Sequence, residues 1–228
     1  LIYTSSDSGK AWSPHESNRQ WIAVASSTDG CKLVAADYGF RDRRQGGTHD
    51  SSGGRIYTSA DSGETWTQQW SNKFWQCVAS SADGSRLVAG TFGDRLYTSA
   101  DSGITWTPHE AVLNWASVAS SADGSKLVAI PFGHQIHTSA DFGATWSKHE
   151  SNRLWVAAAS SADGSKLVAA VQGEDRIFTS TDSGESWTPR EKLPHCHALA
   201  SSADGSRLVA VGSSGQIFTS ENSGTTRK

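Results

Sequence analysis

The sequence predicts an all-β protein, a β-propeller of four-stranded antiparallel blades. Three observations carry that expectation. First, one period governs the chain. The aspartate of a recurring Ser-Ala/Thr-Asp-Gly segment falls at Asp29, Asp83, Asp123, Asp163 and Asp204, with spacings of 54, 40, 40 and 41. An octet typified by "SADSGETW" (59–66) puts its third residue at Asp7, Asp61, Asp101, Asp141, Asp182 and Asn222, with spacings of 54, 40, 40, 41 and 40. Second, each unit holds four short apolar runs separated by Gly, Asp and Ser, the pattern of strands and turns rather than helices. Third, no window has a helical period, and 22 glycines with many serines interrupt any long run. Four short strands repeated about every 40 residues describe a propeller blade.

The elements follow in order from residues 75–110. "WQCVASS" is the innermost strand, A. "ADGS" is a turn in which Asp-Gly tolerates positive φ and so favours a hairpin. "RLVAGTF" is strand B, broken by Gly93-Asp94, and "RLYTS" is strand C. "ADSGE" is a second turn, and "TWTPHE" is the more polar rim strand, D. The small and β-branched residues of A and B suit the narrow centre. The tryptophan opening D suits the wide outer gap between blades, which needs volume.

Bulk composition narrows the function classes. Twenty basic and 23 acidic residues give a net charge of −3, with no basic stripe for nucleic acid. The longest apolar stretches, such as Leu167–Val171, are far too short to span a bilayer as a helix. Three cysteines, Cys31, Cys77 and Cys196, fall at non-equivalent repeat positions and make no disulfide framework. No metal-ligand spacing, cofactor motif or Asn-x-Ser/Thr sequon is present. Compartment stays open, and the chain is either complete or a fragment of a longer propeller.

The octets resemble the Asp-box, or BNR, repeat, Ser-x-Asp-x-Gly-x-Thr-Trp. It is complete in "SADSGETW" (59–66), "SADSGITW" (99–106) and "SADFGATW" (139–146). It varies at the threonine in "SSDSGKAW" (5–12) and "STDSGESW" (180–187), and loses Asp and Trp in "SENSGTTR" (220–227). The resemblance covers the whole chain and implies a C–D hairpin at the outer edge of each blade, away from the ligand face. It implies structural roles for Asp7, Asp61, Asp101, Asp141 and Asp182 and for Trp12, Trp66, Trp106, Trp146 and Trp187. Function varies widely among such proteins, from sialidases and xyloglucan hydrolases to sorting receptors and photosystem assembly factors. The physical reading of the box agrees: the aspartate accepts turn N–H groups, and the glycine takes a backbone conformation other residues resist.

Residues 1–228 read as one domain, with units near 21–70, 75–110, 115–150, 155–191 and 196–220, and with 1–16 closing the ring. Strand pair A–B occurs five times and strand C six times. The expectation is five blades, with N-terminal strands around Trp12 completing the last and removing an open edge. A sixth partial blade is the alternative. The surplus C-type strand, 1–5 or 216–220, is also a candidate for pairing with another copy.

The A–B and C–D turns are short and uniform, so function is expected on the opposite face, where the B–C and D–A loops vary. Candidate ligand contacts there are Trp21, Trp75, Trp115 and Trp155, which open strand A, with Tyr38, Phe92, Phe132, His15, His109 and His149. The competing readings are inter-blade packing for the tryptophans and duplicated, solvated loops for the histidines. The polar insertion 41–54, with Arg41, Arg43, Arg44, His49 and Asp50, reads as a mobile loop or lid. A sialidase would need an arginine cluster and a Tyr/Glu pair. A glycosidase would need paired carboxylates, for which Asp37, Asp42, Asp94, Glu174 and Asp175 are available and none is singled out. Near-identical blades favour repeated contacts over an asymmetric catalytic centre. The expectation is a non-catalytic binding propeller for carbohydrate or protein, with a glycoside hydrolase and an assembly-type scaffold as alternatives.

Overall fold

The computed structural model describes residues 1–16, 18–39, 53–193, 195–212 and 215–226. Strands β1 (Ile2–Thr4) and β2 (Ser13–His15) form a two-stranded sheet. Then β3 (Trp21–Ser26), β4 (Leu33–Asp37), β5 (Gly54–Ser59) and β6 (Thr67–Lys73) form the first complete blade. In the next two blades some strands run together. β7 (Trp75–Ser80) is followed by β8 (Leu87–Ser99), which supplies both B and C, and by β9 (Thr107–Ser120), which is D of one blade and A of the next. β10 (Leu127–Pro131), β11 (Ile136–Ser139) and β12 (Ser147–His149) complete that third blade. The fourth is β13 (Trp155–Ser160), β14 (Leu167–Val171), β15 (Arg176–Ser180) and β16 (Thr188–Lys192), all antiparallel. β17 (Cys196–Ser201), β18 (Leu208–Gly212) and β19 (Ile217–Ser220) form a three-stranded sheet. The protein is thus an all-β propeller, with four complete four-stranded blades between two partial ones among the described residues.

Neighbouring blades are joined at the A–B turns by a chain of backbone hydrogen bonds. Thr28 N–H donates to Ala82 O, Ala82 to Ala122, Ala122 to Ala162 and Ala162 to Ala203, at 2.6–2.8 Å. Within a blade, the C–D turn donates to the A–B turn, as Ser102 N–H does to Ser85 O at 2.9 Å, so both turn sets share one face. The core lies between blades. One cluster joins Val34, Ala36 and Ile56 to Trp75, Val78, Leu87 and Tyr97 of the next blade, and three similar clusters follow.

Among the described residues the expected closure by N-terminal strands is not made. β1 registers with β2, from Ile2↔His15 to Thr4↔Ser13, and the β17–β19 sheet has no fourth strand among the described residues. A local hairpin closes a short loop at little entropic cost, whereas joining residues 1–15 to β19 closes a loop of almost the whole chain. The two flanks therefore show faces that other blades bury. Val24 is 66% exposed where its counterpart Val78 is 9%, and Ile217 is 69% exposed where Leu96 is 0%.

Candidate binding face

Each complete blade carries the same stack on its variable-loop side. The tryptophan opening strand A meets the ring of strand C edge to face: Trp21–Tyr57, Trp75–Tyr97, Trp115–His137 and Trp155–Phe178, with centroids 5.1–5.6 Å apart. A cation from the preceding D–A segment covers three of those rings: Arg19 on Tyr57 at 4.8 Å, Lys73 on Tyr97 at 5.4 Å and Arg153 on Phe178 at 4.9 Å. Trp75, Trp115 and Trp155 are completely buried. This corrects the expectation of an aromatic platform at these positions, since no face of the three indoles reaches a ligand. Trp21 is half-buried, beside an N-terminal sheet that has two strands among the described residues.

The histidines are corrected as well. His15, His109 and His149 lie in the D strands, and each Nε2 meets the hydroxyl of a strand-C threonine: Thr4, Thr98 and Thr138, at 2.7–2.8 Å. Gln69–Thr58 and Arg190–Thr179 make the same bond in the other two blades. These side chains brace the rim sheet rather than the loop face.

What the loop face exposes is a different arc, at the inner mouth of the blades. The residue after strand B is pinned by its N–H to the carbonyl of the residue before the strand-A tryptophan: Tyr38 to Gln20, Phe92 to Phe74 and Phe132 to Asn114, at 2.7–2.9 Å. Gln172 pairs with Leu154 in the same way, at 2.8 Å. Tyr38 touches Phe74 across the blade boundary at 5.5 Å. Phe92 is 39% exposed, Phe132 41% and Leu154 43%. Tyr38, Phe92 and Phe132 were legible as loop aromatics. Phe74 and Leu154 were missed, and their signal was simple: each directly precedes a strand-A tryptophan.

The carboxylates of this face are engaged in structural contacts. Asp94 lies 2.5 Å from Lys73 Nζ and accepts the Tyr97 hydroxyl at 3.0 Å. Burial pushes its carboxyl up, but Lys73, the Arg95 amide and Tyr97 outweigh that and hold it below the usual range. Glu174 pairs with Arg153 at 2.5 Å. Asp175 accepts the His195 amide at 2.9 Å. Asp37 accepts the Gly39 amide at 2.9 Å and is pushed up by burial. Asp42, Arg41, Arg43, Arg44, His49 and Asp50 fall outside the described residues. Among those described, no group of three His, Cys, Asp or Glu side chains could hold a metal ion.

One stack departs from the others. Leu113 stands where Lys73 and Arg153 stand elsewhere, and His137 replaces the Tyr or Phe. His137 is 2% exposed, with Glu110 3.0 Å from Nδ1. Burial, aided by Lys148, His134 and His149, pushes its pKa down to about 4 despite that carboxylate. The unfolded imidazole takes its proton near 6.5 and the folded one does not, so stability falls as pH drops from 6.5 towards 4. His137→Phe is expected to flatten urea-derived stability across that window. An unchanged slope would place the proton uptake elsewhere.

No family model matches the chain, and no curated protein matches it in sequence. Solved structures do match in shape. A chain described as YCF48 bound to D1 peptide is 18% identical, with a TM-score of 0.65, over 96% of this chain and 71% of that one. A chain of the nidogen/laminin complex is 14% identical, with a TM-score of 0.67, over 91% and 78%. YCF48 from Cyanidioschyzon merolae is 11% identical, with a TM-score of 0.59, over 94% and 86%. At these identities the likeness speaks to the propeller fold. No helix among the described residues is long and apolar enough to cross a membrane.

Proposed function

We propose that the protein is a non-catalytic binding propeller that takes a segment of another polypeptide on its variable-loop face. The observation that carries this reading is the exposure of Phe92 and Phe132 on a rigid, hydrogen-bonded mouth. Apolar rings held half in water by a fixed backbone offer anchor points at low ordering cost. Trp75, Trp115 and Trp155 are buried and offer no surface to a sugar ring, while the exposed apolar side chains of the mouth include the aliphatic Leu154 beside Phe92 and Phe132, a mixed set that favours peptide over glycan. The peptide and protein partners named for two structural neighbours support the same choice. The Ser-x-Asp-x-Gly-x-Thr-Trp octets support placing the chain with Asp-box propellers.

The test is selection from a displayed random-peptide library, followed by measurement on loop-face variants. Selected peptides should carry an aromatic or large aliphatic residue. Phe92→Ala and Phe132→Ala should each weaken binding about tenfold while leaving the thermal midpoint nearly unchanged. Binding indifferent to both substitutions, or a glycan array giving the stronger ligands, would defeat the proposal.

A further inference from the structure

The fourth blade differs from its neighbours on the loop face. Its B–C segment, 172–175, is one residue longer than 92–94 and 132–134. Counted from the octet aspartate, Lys192 stands where Ser71, Ala111 and Ser151 stand, and Arg176 where Arg55, Arg95 and Gln135 stand. Arg95 and Gln135 are used by the chain itself: each donates to a carbonyl at the end of a rim strand, Glu110 O or Glu150 O, at 2.9 Å. The Arg176 guanidinium makes no hydrogen bond or ion pair among the described residues. It also stands directly opposite Lys192 in the β15–β16 register, and like charges at paired positions of an antiparallel ladder repel. Both cations line a cavity of about 440 Å³ with Arg153, Glu174 and the ring of Phe178. That volume is in the range of small-ligand sites, about 300–1,000 Å³. Glu174 accepts through both oxygens from one Arg153 nitrogen, Nη1. Arg153 Nη2 lies 3.9 Å from Glu150, and its buried Nε has no hydrogen-bond partner, so the chain's own acceptors do not fully satisfy this guanidinium.

Three positive side chains thus line the cavity against one carboxylate. We propose that the cavity binds a phosphate monoester, that of a phosphorylated side chain in the polypeptide segment held on the loop face, an assignment that rests on the polypeptide reading of that face. At pH 7 such a group carries about −1.5 to −2 charges, which matches the excess of cations where a single carboxylate does not. Arg176 offers a planar fork to two phosphate oxygens, and Lys192 adds a point charge from the opposite strand. Glu174 holds Arg153 and competes with the phosphate for it. The cavity adjoins the exposed mouth. Arg153 directly precedes Leu154, which is 43% exposed, and Gly173 directly follows Gln172, whose N–H is bonded to the Leu154 carbonyl. A phosphorylated residue seated here and an apolar residue against Leu154 therefore fit within one short ligand segment.

The probes are N-acetyl-phosphoserine amide, N-acetyl-glutamate amide and inorganic phosphate, titrated by calorimetry against the whole chain at low ionic strength, where screening is weak. The phosphoserine probe is expected to saturate, binding at least about tenfold more tightly than the glutamate probe. Arg176→Gln and Lys192→Gln, each verified as folded by circular dichroism, should each weaken it about tenfold. Glu174→Gln should tighten it about threefold by removing the competing anion, a gain that misfolding cannot imitate. The inference fails if the glutamate probe binds as well as phosphoserine, if neither Arg176→Gln nor Lys192→Gln weakens binding, or if Glu174→Gln weakens it. Inorganic phosphate binding as tightly as phosphoserine would assign the cavity to free phosphate and overturn the phosphorylated side chain. Phe92→Ala separates this inference from the reading it rests on, since it should leave the phosphoserine probe unaffected while weakening the library-selected peptides. No phosphoserine binding, with those peptides still dependent on Phe92, defeats the inference alone, and peptides indifferent to Phe92→Ala defeat the loop-face reading.

Discussion

Trp115→Ala is expected to cost about 3–5 kcal/mol of folding free energy, the range for truncating a buried aromatic to alanine. The indole is 0% exposed and lies in a cluster with Cys77, Val88 and Leu96 of one blade and Val118, Leu127 and Ala129 of the next. Its Nε1–H donates to Asp94 O at 3.2 Å, so truncation also leaves that carbonyl without its donor. The pocket is shaped to it: a Cβ on Gly90 would lie 2.7 Å from Trp115 Cβ and 2.6 Å from Cys77 Sγ, so the preceding blade presents glycine where the ring enters. Relaxation around the resulting cavity is limited because two β-sheets form its walls. Against a total stability of about 5–15 kcal/mol, such a loss leaves a marginal fold, with a thermal midpoint lower by about 10 °C or more. Urea titration of purified protein measures it. A loss under about 1 kcal/mol would mean that the ring is not the packing element described. Phe92→Ala, on the same side of the molecule, is the contrasting control, because its ring is 39% exposed.

The tryptophans were candidates because each opens strand A at the variable-loop face, but both sides of strand A face a neighbouring blade. Strict alternation along β7 would put Trp75 on the same side as Cys77. The register shifts between those two residues, and the same shift recurs at Trp21/Ala23, Trp155/Ala157 and Cys196/Ala198. The inserted residue turns the indole to the other side. Trp75 then packs with Val78 towards the preceding blade, while Cys77 packs towards the following one. A bulge of this kind leaves no mark in composition or spacing. The histidines failed for a related reason. His109 follows Pro108 at what reads as a strand end, yet it registers against Leu96, which brings its ring to Thr98. Period, strand order and the sharing of one face by the A–B and C–D turns were legible because Gly and Asp fix turns locally. Closure was not, because it depends on whether residues 1–15 pair with one another or with a strand 200 residues away, and the residues suit both.

Acid should unfold the protein steeply between about pH 4 and pH 2, because turn carboxylates in every sheet share one hydrogen-bonding arrangement. Asp61 accepts the Thr65 hydroxyl at 2.6 Å, the Thr65 amide at 2.9 Å and the Ser59 hydroxyl at 2.7 Å, and these bonds, in that order, hold its pKa down at about 2. Asp141 and Asp182 stand at about 2 for the same reason, and Asp7 and Asp101 are lowered. On the A–B turns Asp123 is held at about 2, and Asp29, Asp83, Asp163 and Asp204 are lowered, with the serine two residues earlier the largest cause. Each folded pKa lies below the unfolded value near 3.8. The unfolded chain therefore binds protons first as pH falls, and the stability these groups contribute is present above pH 4 and lost towards pH 2. The sixth octet shows how to remove the effect without removing the turn. Asn222 accepts the Thr226 amide and the Ser220 hydroxyl through Oδ1, both at 2.9 Å, and its Nδ2 donates to Thr226 Oγ1 at 2.9 Å. The hydroxyl that donates to an aspartate accepts from an asparagine, and the turn keeps its shape. The combined variant Asp61→Asn, Asp101→Asn, Asp141→Asn should therefore remain folded at pH 7 and show a shallower loss of stability from pH 4 to pH 2. Alanine at the same three positions should flatten the profile as well, but at a clear cost at pH 7, because the amides of Thr65, Thr105 and Thr145 lose their acceptors. Circular dichroism against urea at fixed pH separates the two outcomes, and an acid profile unchanged by the asparagine variant would remove the turn aspartates as its cause.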